Sequence, residues 1–493
     1  MLQPIRIHPD NPKLFEFRGK PLVLLTATEH YGAVMNRPFD FERYLADASK
    51  KKMTMTRLFT LFRELQSVMN PYSTCKPESP DYIAPFARTK TDKALDWQPL
   101  YDLDAWNLEF FERLHRFLGL ASDYGIIVEV TLLSNTYGDG VWMLNPLHYL
   151  NNINNLDAVR WQDYNTQRNQ KLFEMQVRHV RKIVEETKRY DNIIYEICNE
   201  PGGFTNPTDA DLPSPSEVDE WQMAIADVIR DAESDMPDKH LISGQEAFAY
   251  DPFTQTSLKS FRDFGIDVVN MHPLPNTTFG ENAYHMGEFM MKQMNLRALR
   301  DYCLETYLEP KPMNFDEDNA ASQYKDFDGW TIHRKRAWTT LMSGGHYDYI
   351  DFSIVNGLET GTPDSQQCIR SWMRNLSEFI HSIDLVRARP MPDLVKRCPE
   401  HTLESAIGIS GEDYCTYLAD DRELDEEGCG EAISGEIVLD LPAGQYRTAC
   451  FSPVSGLYSP WIDIPGGEAV SANVPGFTHD IVIRIQRKDI HQI

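Results

Sequence analysis

Two glutamates, far apart in the chain, each close a short apolar run of β-forming residues. Glu200 ends the stretch NIIYEICNE, and Glu317 ends the stretch KPMNFDE. A carboxyl group that is held rigidly and partly desolvated at a strand end can have the raised pKa that a general acid needs. Two such groups facing each other can hydrolyse a glycosidic bond, with retention at a separation of about 5–5.5 Å and with inversion at about 6.5–9.5 Å.

The elements that would position these glutamates alternate along the chain. Apolar residues recur at helical intervals between β-rich runs, as in Phe110, Leu114, Phe117 and Ala121. The β-rich runs are 21–27, 53–60, 125–133, 192–198, 240–245, 266–271, 311–315 and 346–354. Eight strands alternating with helices predict an α/β fold, a (β/α)₈ TIM barrel, whose functional side chains lie at the carboxyl ends of the strands.

The pattern changes after about residue 395. Short alternating strands such as EIVLDL and DIVIRIQR are separated by the turn signals PAG, SPVSG and PGG, and no helical period remains. This pattern predicts a small all-β antiparallel sandwich. We therefore expect a catalytic barrel over 1–395 and a C-terminal β-sandwich domain over 396–493 that packs on the barrel and stabilises it.

The charge balance limits the possible partners. The chain has 74 Asp and Glu against 48 Lys and Arg, a net charge of −26, so nucleic acid and anionic membrane surfaces, which need positive patches, are excluded. No apolar run approaches the roughly 20 residues that span a bilayer, and the N-terminal sequence lacks the pattern of a secretory leader. We expect a cytoplasmic protein, with a periplasmic or secreted location left open if a leader was removed. The oligomeric state is left open.

Two motifs carry a resemblance to a known group of enzymes. YEICNEP, at the fourth predicted strand, resembles the acid/base motif of the clan A retaining glycoside hydrolases, and KPMNFDED is similar to their nucleophile strand. The stretches GKPLVLL, HRKRAWTTLMSGG and GQYRTACFSPVSGLYS are closest to cellulase-like and apiosidase-like barrels. The resemblance covers residues 10 to 395 in layout. It implies a glycosidase that acts on an oligosaccharide or glycoside and needs no metal or organic cofactor.

The resemblance also implies roles for individual residues. Glu200 corresponds to the acid/base and Glu317 to the nucleophile. Asn199 corresponds to the partner of the sugar 2-hydroxyl, and Arg57 to the arginine that keeps the nucleophile ionised. His272 falls where clan members place a His or Tyr near the nucleophile.

The nucleophile stands among three adjacent acids. Asp316 and Asp318 flank Glu317, so the residues alone leave the choice between them open. Alternation along a strand favours an inward Glu317 on the same face as Phe315.

Further residues at the strand ends and in the loops are candidates for binding sugar. Glu29 and His30 end the first strand, where they could contact sugar or form a local ion pair. Tyr137 and Trp142 lie in the long third loop and Trp330 follows the seventh strand, positions from which a ring could stack on a sugar.

Two alternatives come from other classes of protein. In the first, a metal-dependent barrel hydrolase uses His30, His272, His346, Asp316 and Asp348 as ligands, although the chain lacks an HxH pair on the first strand. In the second, the barrel binds carbohydrate without cleaving it. The presence of both carboxylates argues against this second alternative.

Overall fold

The computed structural model describes residues 3–65, 73–202, 211–247, 258–272, 295–318, 326–422 and 426–488. In chain order the strands are β1 (Arg6–His8), β2 (Asn11–Phe17), β3 (Lys20–Leu22), β4 (Met55–Phe59), β5 (Phe86–Arg88), β6 (Tyr101–Trp106), β7 (Ile127–Ser134), β8 (Ile193–Asn199), β9 (Leu241–Gly244), β10 (Val268–Asn270), β11 (Met313–Phe315), β12 (His346–Tyr347), β13 (Arg389–Pro390), β14 (Val395–Arg397), β15 (Thr402–Ile409), β16 (Asp413–Asp420), β17 (Ile433–Phe451), β18 (Ile462–Phe477) and β19 (Asp480–Arg487). The helices are α1 (Phe41–Lys50), α2 (Leu108–Tyr124), α3 (Asp139–Trp142), α4 (Gln170–Thr187), α5 (Pro215–Ala232), α6 (Lys259–Arg262), α7 (Leu296–Tyr307), α8 (Phe327–Met342), α9 (Pro363–Gln367) and α10 (Ile369–Ile380). Of these helices, none is both long enough and apolar enough to cross a membrane.

A parallel sheet forms the barrel wall. Seven strands lie in the order β12-β11-β10-β9-β8-β7-β4, so each strand pairs with the one that precedes it along the barrel. Residues 24–28 take the place of the eighth strand. On one side Leu25 and Thr28 form parallel bridges to Tyr347 of β12 and to Ile350. On the other side the Leu25 carbonyl accepts from Thr54 N–H at 3.0 Å, next to β4. The predicted (β/α)₈ barrel is confirmed. The predicted first run, 21–27, is divided, since its first residues belong to β3.

The N-terminal hairpin closes the bottom of the barrel. Strands β1, β2 and β3 form a separate antiparallel sheet. Phe15 and Phe17 of this sheet form one buried apolar cluster with Met55, Ile127 and Ile194, which begin or nearly begin their barrel strands. Full burial of an apolar side chain of this size contributes about 1.5–3 kcal/mol. This end of the barrel is therefore filled by apolar packing, and the carboxyl ends of the strands remain for chemistry.

An antiparallel sheet follows the barrel. Its order is β13-β15-β16-β19-β17-β14, with β18 paired to β17. Register shifts near Leu439 and Leu441 bend the long β17–β18 hairpin, so the first half of β17 pairs with β14 and the second half with β19. The bent sheet surrounds a second core that includes Ile437 and Tyr446. The predicted all-β antiparallel unit is confirmed. Its first strand begins at Arg389, and the boundary at 395/396 stays a prediction.

Helix α8 joins the two parts of the fold. Trp338 stacks on Tyr417 of β16 with ring centroids 5.5 Å apart. Arg334 forms a buried ion pair with Asp480 at 2.8 Å, and Lys335 Nζ donates to the Asp420 carbonyl at 2.9 Å. The charged stretch HRKR is buried because both parts of the fold accept its hydrogen bonds: the antiparallel sheet those of Arg334 and Lys335, and the barrel those of His333 and Arg336.

Candidate active site

The two candidate catalytic glutamates face each other at the mouth of the barrel. Glu200 follows β8 and Glu317 lies two residues beyond β11, so both lie at carboxyl ends of strands. One carboxylate oxygen of each glutamate and one ring nitrogen of His272 all lie within 4.8 Å of one another. An oxygen pair this close is compatible with carboxyl groups about 5–5.5 Å apart, as in retaining glycosidases, and is shorter than the about 6.5–9.5 Å between the carboxyl groups of inverting enzymes.

Both glutamates have left-handed backbone conformations. The φ angles are +47° at Glu200 and +75° at Glu317, and two aromatic residues at the site share the feature, Tyr31 at +52° and Tyr137 at +54°. Non-glycine residues seldom adopt positive φ; each such residue costs about 1–3 kcal/mol and persists only where its surroundings impose the conformation. Strain of this kind concentrates at functional sites.

Arg57 is the buried cation of the site. It lies on β4 with no exposed surface, and its guanidinium donates to Glu317 at 2.9 Å, to Asn199 at 2.8 Å and to Glu196 at 2.9 Å. Its Nε also lies 3.0 Å from Asp316. Although burial lowers the pKa of Arg57, the charges of Asp316 and Glu196 hold it well above the usual value. The guanidinium therefore stays charged and fixes four side chains that arrive from two strands, β8 and β11.

The three adjacent acids have different environments. Asp318 is fully buried and bonded to Arg336 of α8, with one contact at 3.0 Å, while Asp316 is fully buried and accepts from Asn270 Nδ2 at 3.0 Å. Glu317 is 7 % exposed and reaches the mouth. The left-handed φ turns Glu317 inward, whereas Phe315 packs outward against Tyr302 of α7. The prediction that alternation places Glu317 and Phe315 on one face is wrong, because this turn interrupts the alternation.

Glu200 is held by two donors. The Tyr137 hydroxyl donates to Oε2 at 2.6 Å, and His272 Nδ1 lies 3.0 Å from Oε1. Burial alone would raise the pKa of Glu200, but the hydrogen bonds from His272 and Tyr137 bring it below the usual value. The pKa of His272 is raised, because its bond to Glu200 and the charge of Glu317 outweigh burial. The prediction of a raised pKa for Glu200 is wrong, because these donors overcome desolvation.

Asn199 and Tyr137 extend the same network. Asn199 Nδ2 donates to the Tyr137 hydroxyl at 2.5 Å, and its Oδ1 accepts from Arg57. The structure therefore brings together six of the residues predicted from the sequence. They are Arg57, Tyr137, Asn199, Glu200, His272 and Glu317.

Glu29 and His30 lie beneath the surface. Glu29 has no exposed area, accepts from the backbone N–H groups of Gly32 and Ala33, and bonds to the Thr74 hydroxyl; burial raises its pKa to about 8. His30 contacts the Ser73 hydroxyl, and burial lowers its pKa to about 3, so it is neutral. The assignment of Glu29 as a sugar contact is corrected, because its oxygens accept from Gly32, Ala33 and Thr74 beneath the surface. The nearly buried His30 likewise offers little surface to a sugar.

Trp142 and Trp330 do not present open ring faces. Each is 2 % exposed. Trp142 packs against His148 and Tyr164, with both ring centroids 5.2 Å away, and its indole donates to the Val159 carbonyl. Trp330 lies in the core on α8. Neither ring therefore offers an open face to a sugar in this structure, and the stacking of Trp142 and Trp330 on substrate stays a prediction.

The sequence patterns did not predict a layer of polar side chains inside the barrel, in which only Asp348 had been considered, as a metal ligand. Glu129, Glu196 and Asp348 are each at most 2 % exposed and surround Arg57 and Asp316. A signal was present in the strands, since Glu129 interrupts IIVEV and Glu196 interrupts IIYEI. A charged residue inside an otherwise apolar strand indicates an inward polar contact.

The residues of the metal hypothesis come together only in part. Both ring nitrogens of His346 are occupied near the bottom of the barrel, by Leu24 N–H and the Lys13 carbonyl. Glu196, His272 and Asp316 do offer atoms within 4.8 Å of one another, but Arg57 is bonded to two of these three residues. The arginine supplies the positive charge at this position.

Comparisons with known proteins agree with this geometry. The family model described as "Cellulase (glycosyl hydrolase family 5)" matches residues 50–296 of this chain. The structure is similar to a glycoside hydrolase family 5 protein from Bacteroides vulgatus ATCC 8482, at 12% identity and a TM-score of 0.63, covering 99% of this chain and 94% of that one. It is also similar to a structure described as a glycoside hydrolase, at 10% identity and a TM-score of 0.60, covering 99% and 97%. No curated protein sequence matches the chain.

The barrel and the family match together define a glycosidase. The chain belongs to glycosyl hydrolase family 5, the cellulase family. This family is part of clan A, so the resemblance identified in the sequence is confirmed. The likeness to apiosidase-like barrels stays a prediction.

Proposed function

We propose that the protein is a retaining glycoside hydrolase with Glu317 as nucleophile and Glu200 as acid/base. The observation that carries the proposal is the opposition of these two carboxylates within 4.8 Å at the barrel mouth. Double displacement is general in family 5, and this spacing suits it. The roles of the individual residues are part of the proposal.

The first step forms a glycosyl-enzyme. Glu317 attacks the anomeric carbon while Glu200 gives its proton to the leaving oxygen. Arg57 donates to Glu317 at 2.9 Å, so its charge stabilises the ionised carboxylate that attack requires. Asn199 would contact the sugar 2-hydroxyl, and its bonds to Arg57 and Tyr137 support this role by fixing the side chain.

Delivery of the proton involves His272. Glu200 and His272 are hydrogen-bonded, and their pKa shifts go in opposite directions, so one proton is held by the pair. A leaving oxygen that displaces His272 from Glu200 would remove a donor that stabilises the ionised form, and the pKa of Glu200 would rise. In the second step Glu200 deprotonates the incoming water, and water releases the sugar from Glu317.

We propose a neutral glycoside as substrate. Glu196, Glu200, Asp316 and Glu317 crowd the base of the site around Arg57, which is already bonded to carboxylates. A sugar carboxylate or sulfate would meet like charge there without a free cation among the described residues. A panel of aryl glycosides together with uncharged and anionic oligosaccharides tests this point.

Two variants and one trapping experiment test the mechanism. Glu317→Ala should abolish turnover, and an activated 2-fluoro glycoside should label the peptide that contains residue 317. Glu200→Ala should slow cleavage of poor leaving groups by about 10²–10⁴-fold, with less effect on activated aryl leaving groups.

Asp318→Asn is the matched control, because Asp318 is turned towards Arg336. Labelling of another residue, or inversion of the anomeric centre, would refute the assignment. Binding without hydrolysis would favour a carbohydrate-binding protein.

A further inference from the structure

One tryptophan projects from the protein surface into solvent. Trp97 is 75 % exposed, whereas Trp461, the next most exposed of the nine tryptophans, is 36 % exposed. The ammonium group of Lys93 lies 5.8 Å from the centroid of the Trp97 ring. The indole therefore offers a flat apolar face and an N–H donor to a molecule that reaches it.

A tight turn with a strained backbone directs this ring outward. Trp97 has φ of +64°, a left-handed conformation that a bulky residue seldom adopts. Its N–H donates to the Ala94 carbonyl at 3.0 Å, and Ala94 N–H donates to the Gln98 carbonyl at 2.8 Å. The N–H of Gln98 donates in turn to the Asp96 carboxylate at 3.1 Å. Because the surrounding bonds impose the strained conformation, the direction in which the indole leaves the chain is fixed.

The base of the turn is anchored in the protein. Asp96 accepts from Arg63 Nη1 at 3.2 Å and from Arg88 Nη1 at 3.1 Å, and both Asp96 and Arg63 are buried. Leu95 N–H donates to Asn151 Oδ1 at 2.9 Å, which joins the turn to the neighbouring loop. A ligand that stacks on Trp97 therefore meets a ring that is already ordered, and little conformational entropy is lost on binding.

The turn lies at the end of the barrel that contains the proposed catalytic glutamates. It belongs to the connection between β4 and α2, and Asn151 belongs to the connection between β7 and α4. Such connections follow the carboxyl ends of barrel strands. Glu200 and Glu317 lie at the same ends of their strands.

A short series of contacts joins the turn to the acid/base. The Tyr137 hydroxyl donates to Glu200 at 2.6 Å, and the Tyr137 ring lies against Phe62 with centroids 6.1 Å apart. The residue after Phe62 is Arg63, which holds the turn through Asp96. Trp97 therefore stands above the Tyr137 side of the mouth.

The surroundings of the ring fit a sugar. Thr91, Asp92 and Lys93 are exposed beside it and Gln98 is half-buried, so one aromatic face is bordered by hydrogen-bonding side chains. A sugar has an apolar C–H face and an edge of hydroxyl groups, which matches this combination. A stable protein partner would need about 800 Å² with an apolar centre, whereas this turn offers a single ring among polar neighbours.

We propose that Trp97 is a separate sugar-binding position at the rim of the barrel, on which one unit of an uncharged polysaccharide stacks while another unit lies between Glu200 and Glu317. Trp97 touches no reacting atom, so it contributes to affinity for long chains and not to bond cleavage. Its link to cleavage rests on the proposed function, whereas binding at the ring does not.

Affinity electrophoresis tests the binding without any turnover. The inactive Glu317→Ala protein is run in native gels that contain hydroxyethyl cellulose, galactomannan or arabinoxylan, and at least one of these neutral polysaccharides should retard it. Adding Trp97→Ala should raise the dissociation constant about 5–10-fold, while Trp97→Phe, which keeps an aromatic face, should lose less. Retardation by none of the three, or an unchanged dissociation constant in Trp97→Ala, would overturn the proposal.

Leu308→Ala is the matched control for loss of an exposed apolar side chain. Leu308 is 84 % exposed and follows α7, at the opposite end of the barrel from the two glutamates. This variant should be retarded like its parent. An equal loss of retardation in Leu308→Ala and Trp97→Ala would contradict a defined site at Trp97.

Kinetics on the otherwise unchanged enzyme separate chain binding from chemistry. Trp97→Ala should raise KM for the retarding polysaccharide about 5–10-fold with kcat unchanged. The rise should be far smaller on an aryl glycoside of a single sugar, which does not extend to the rim. Equal losses on the two substrates would refute a role in binding long chains.

A spectroscopic signal of the ring itself gives a second measurement. In protein labelled with 5-fluorotryptophan, the ¹⁹F resonance that is missing from Trp97→Phe belongs to Trp97, and it should shift when the retarding polysaccharide is added. A resonance that does not move would count against stacking. A dimer in sedimentation experiments that Trp97→Ala dissociates would assign the ring to contact between copies of the chain and overturn the proposal.

Failure of this site and failure of the proposed function give different results. Hydrolysis of aryl glycosides without retardation by any polysaccharide would leave the glycosidase in place and remove the rim site. Retardation that depends on Trp97 without hydrolysis of any glycoside would leave the rim site in place and remove the proposed function.

Discussion

Arg334 of α8 and Asp480 of β19 form a two-fold hydrogen-bonded ion pair, with contacts of 2.8 and 2.9 Å, in which both side chains are buried. The same helix holds Asp318, the neighbour of the proposed nucleophile, through Arg336. The antiparallel sheet is thus bonded to the helix that supports the nucleophile strand. This relationship supports a structural role for the C-terminal unit.

Loss of this ion pair should destabilise the protein. Asp480→Ala leaves a buried, uncompensated guanidinium, and we expect the free energy of unfolding to fall by about 3–5 kcal/mol. Chemical denaturation measures this fall in the free energy of unfolding. Glu412→Ala is the control, because its pair with Arg387 is largely exposed, and such pairs contribute about 0–1 kcal/mol. Equal effects of the two variants would contradict the proposed link between sheet and helix.

The hydroxyl of Tyr137 should influence the acid/base. It donates to Glu200 at 2.6 Å and thereby helps to lower the pKa of that carboxyl. Tyr137→Phe removes a donor that favours the ionised form, so the pKa of Glu200 should rise and the alkaline limb of kcat/KM should move to higher pH. Measurement of the pH profile on a substrate with a poor leaving group checks this shift. Tyr149→Phe, at a partly exposed tyrosine in the same loop region, should leave the limb in place.

Trp142 should matter for stability more than for substrate binding. Its ring is buried between His148 and Tyr164, so Trp142→Phe should create a cavity and lower the free energy of unfolding by about 1–3 kcal/mol. KM should change little. Trp97→Phe, at a residue that is 75 % exposed, is the control for a tryptophan substitution and should leave stability unchanged. A large rise in KM with unchanged stability in Trp142→Phe would restore the stacking role.

Glu29 should make stability depend on pH. Its pKa is raised to about 8 in the folded protein by burial, against an ordinary value near 4.5. A carboxyl whose folded pKa is raised binds its proton more tightly in the native state, so its contribution is complete below about pH 4.5 and is lost as pH rises through about 8. Thermal melts should therefore show Glu29→Gln gaining Tm relative to the wild type between pH 5 and about 9. A constant difference over that range would contradict the raised pKa.

Much of the site could be predicted from the sequence, because its residues close strands. Glu200 and His272 directly follow predicted strands, Arg57 lies within one, and the order of strands in a barrel brings such residues together. Glu129 and Glu196 of the interior layer were not predicted, and Asp348 was predicted only as a metal ligand. Propensity and periodicity describe each strand separately, whereas these side chains are explained only by partners on other strands.

The loop residues show the same limitation. Trp142 and Trp330 are aromatic residues of the kind that stack on sugars, yet both are buried. Glu29 is buried as well, and its carboxylate accepts from the Gly32 N–H group. Whether a ring or a carboxylate is open to substrate depends on which distant segment covers it. Local sequence contains no information on that covering.

The order of apolar runs and helical periods by itself determined the barrel, the antiparallel unit and the two glutamates at strand ends, because these features depend on side-chain spacing along one segment. Only the tertiary structure decided that Glu317, and neither Asp316 nor Asp318, reaches the mouth, and that donors lower the pKa of Glu200. The exposure of a side chain and its pKa both depend on contacts in space with residues that are distant in the sequence. Arg57, Asn270 and Arg336 come from distant parts of the chain, and their positions exist only once the barrel has closed.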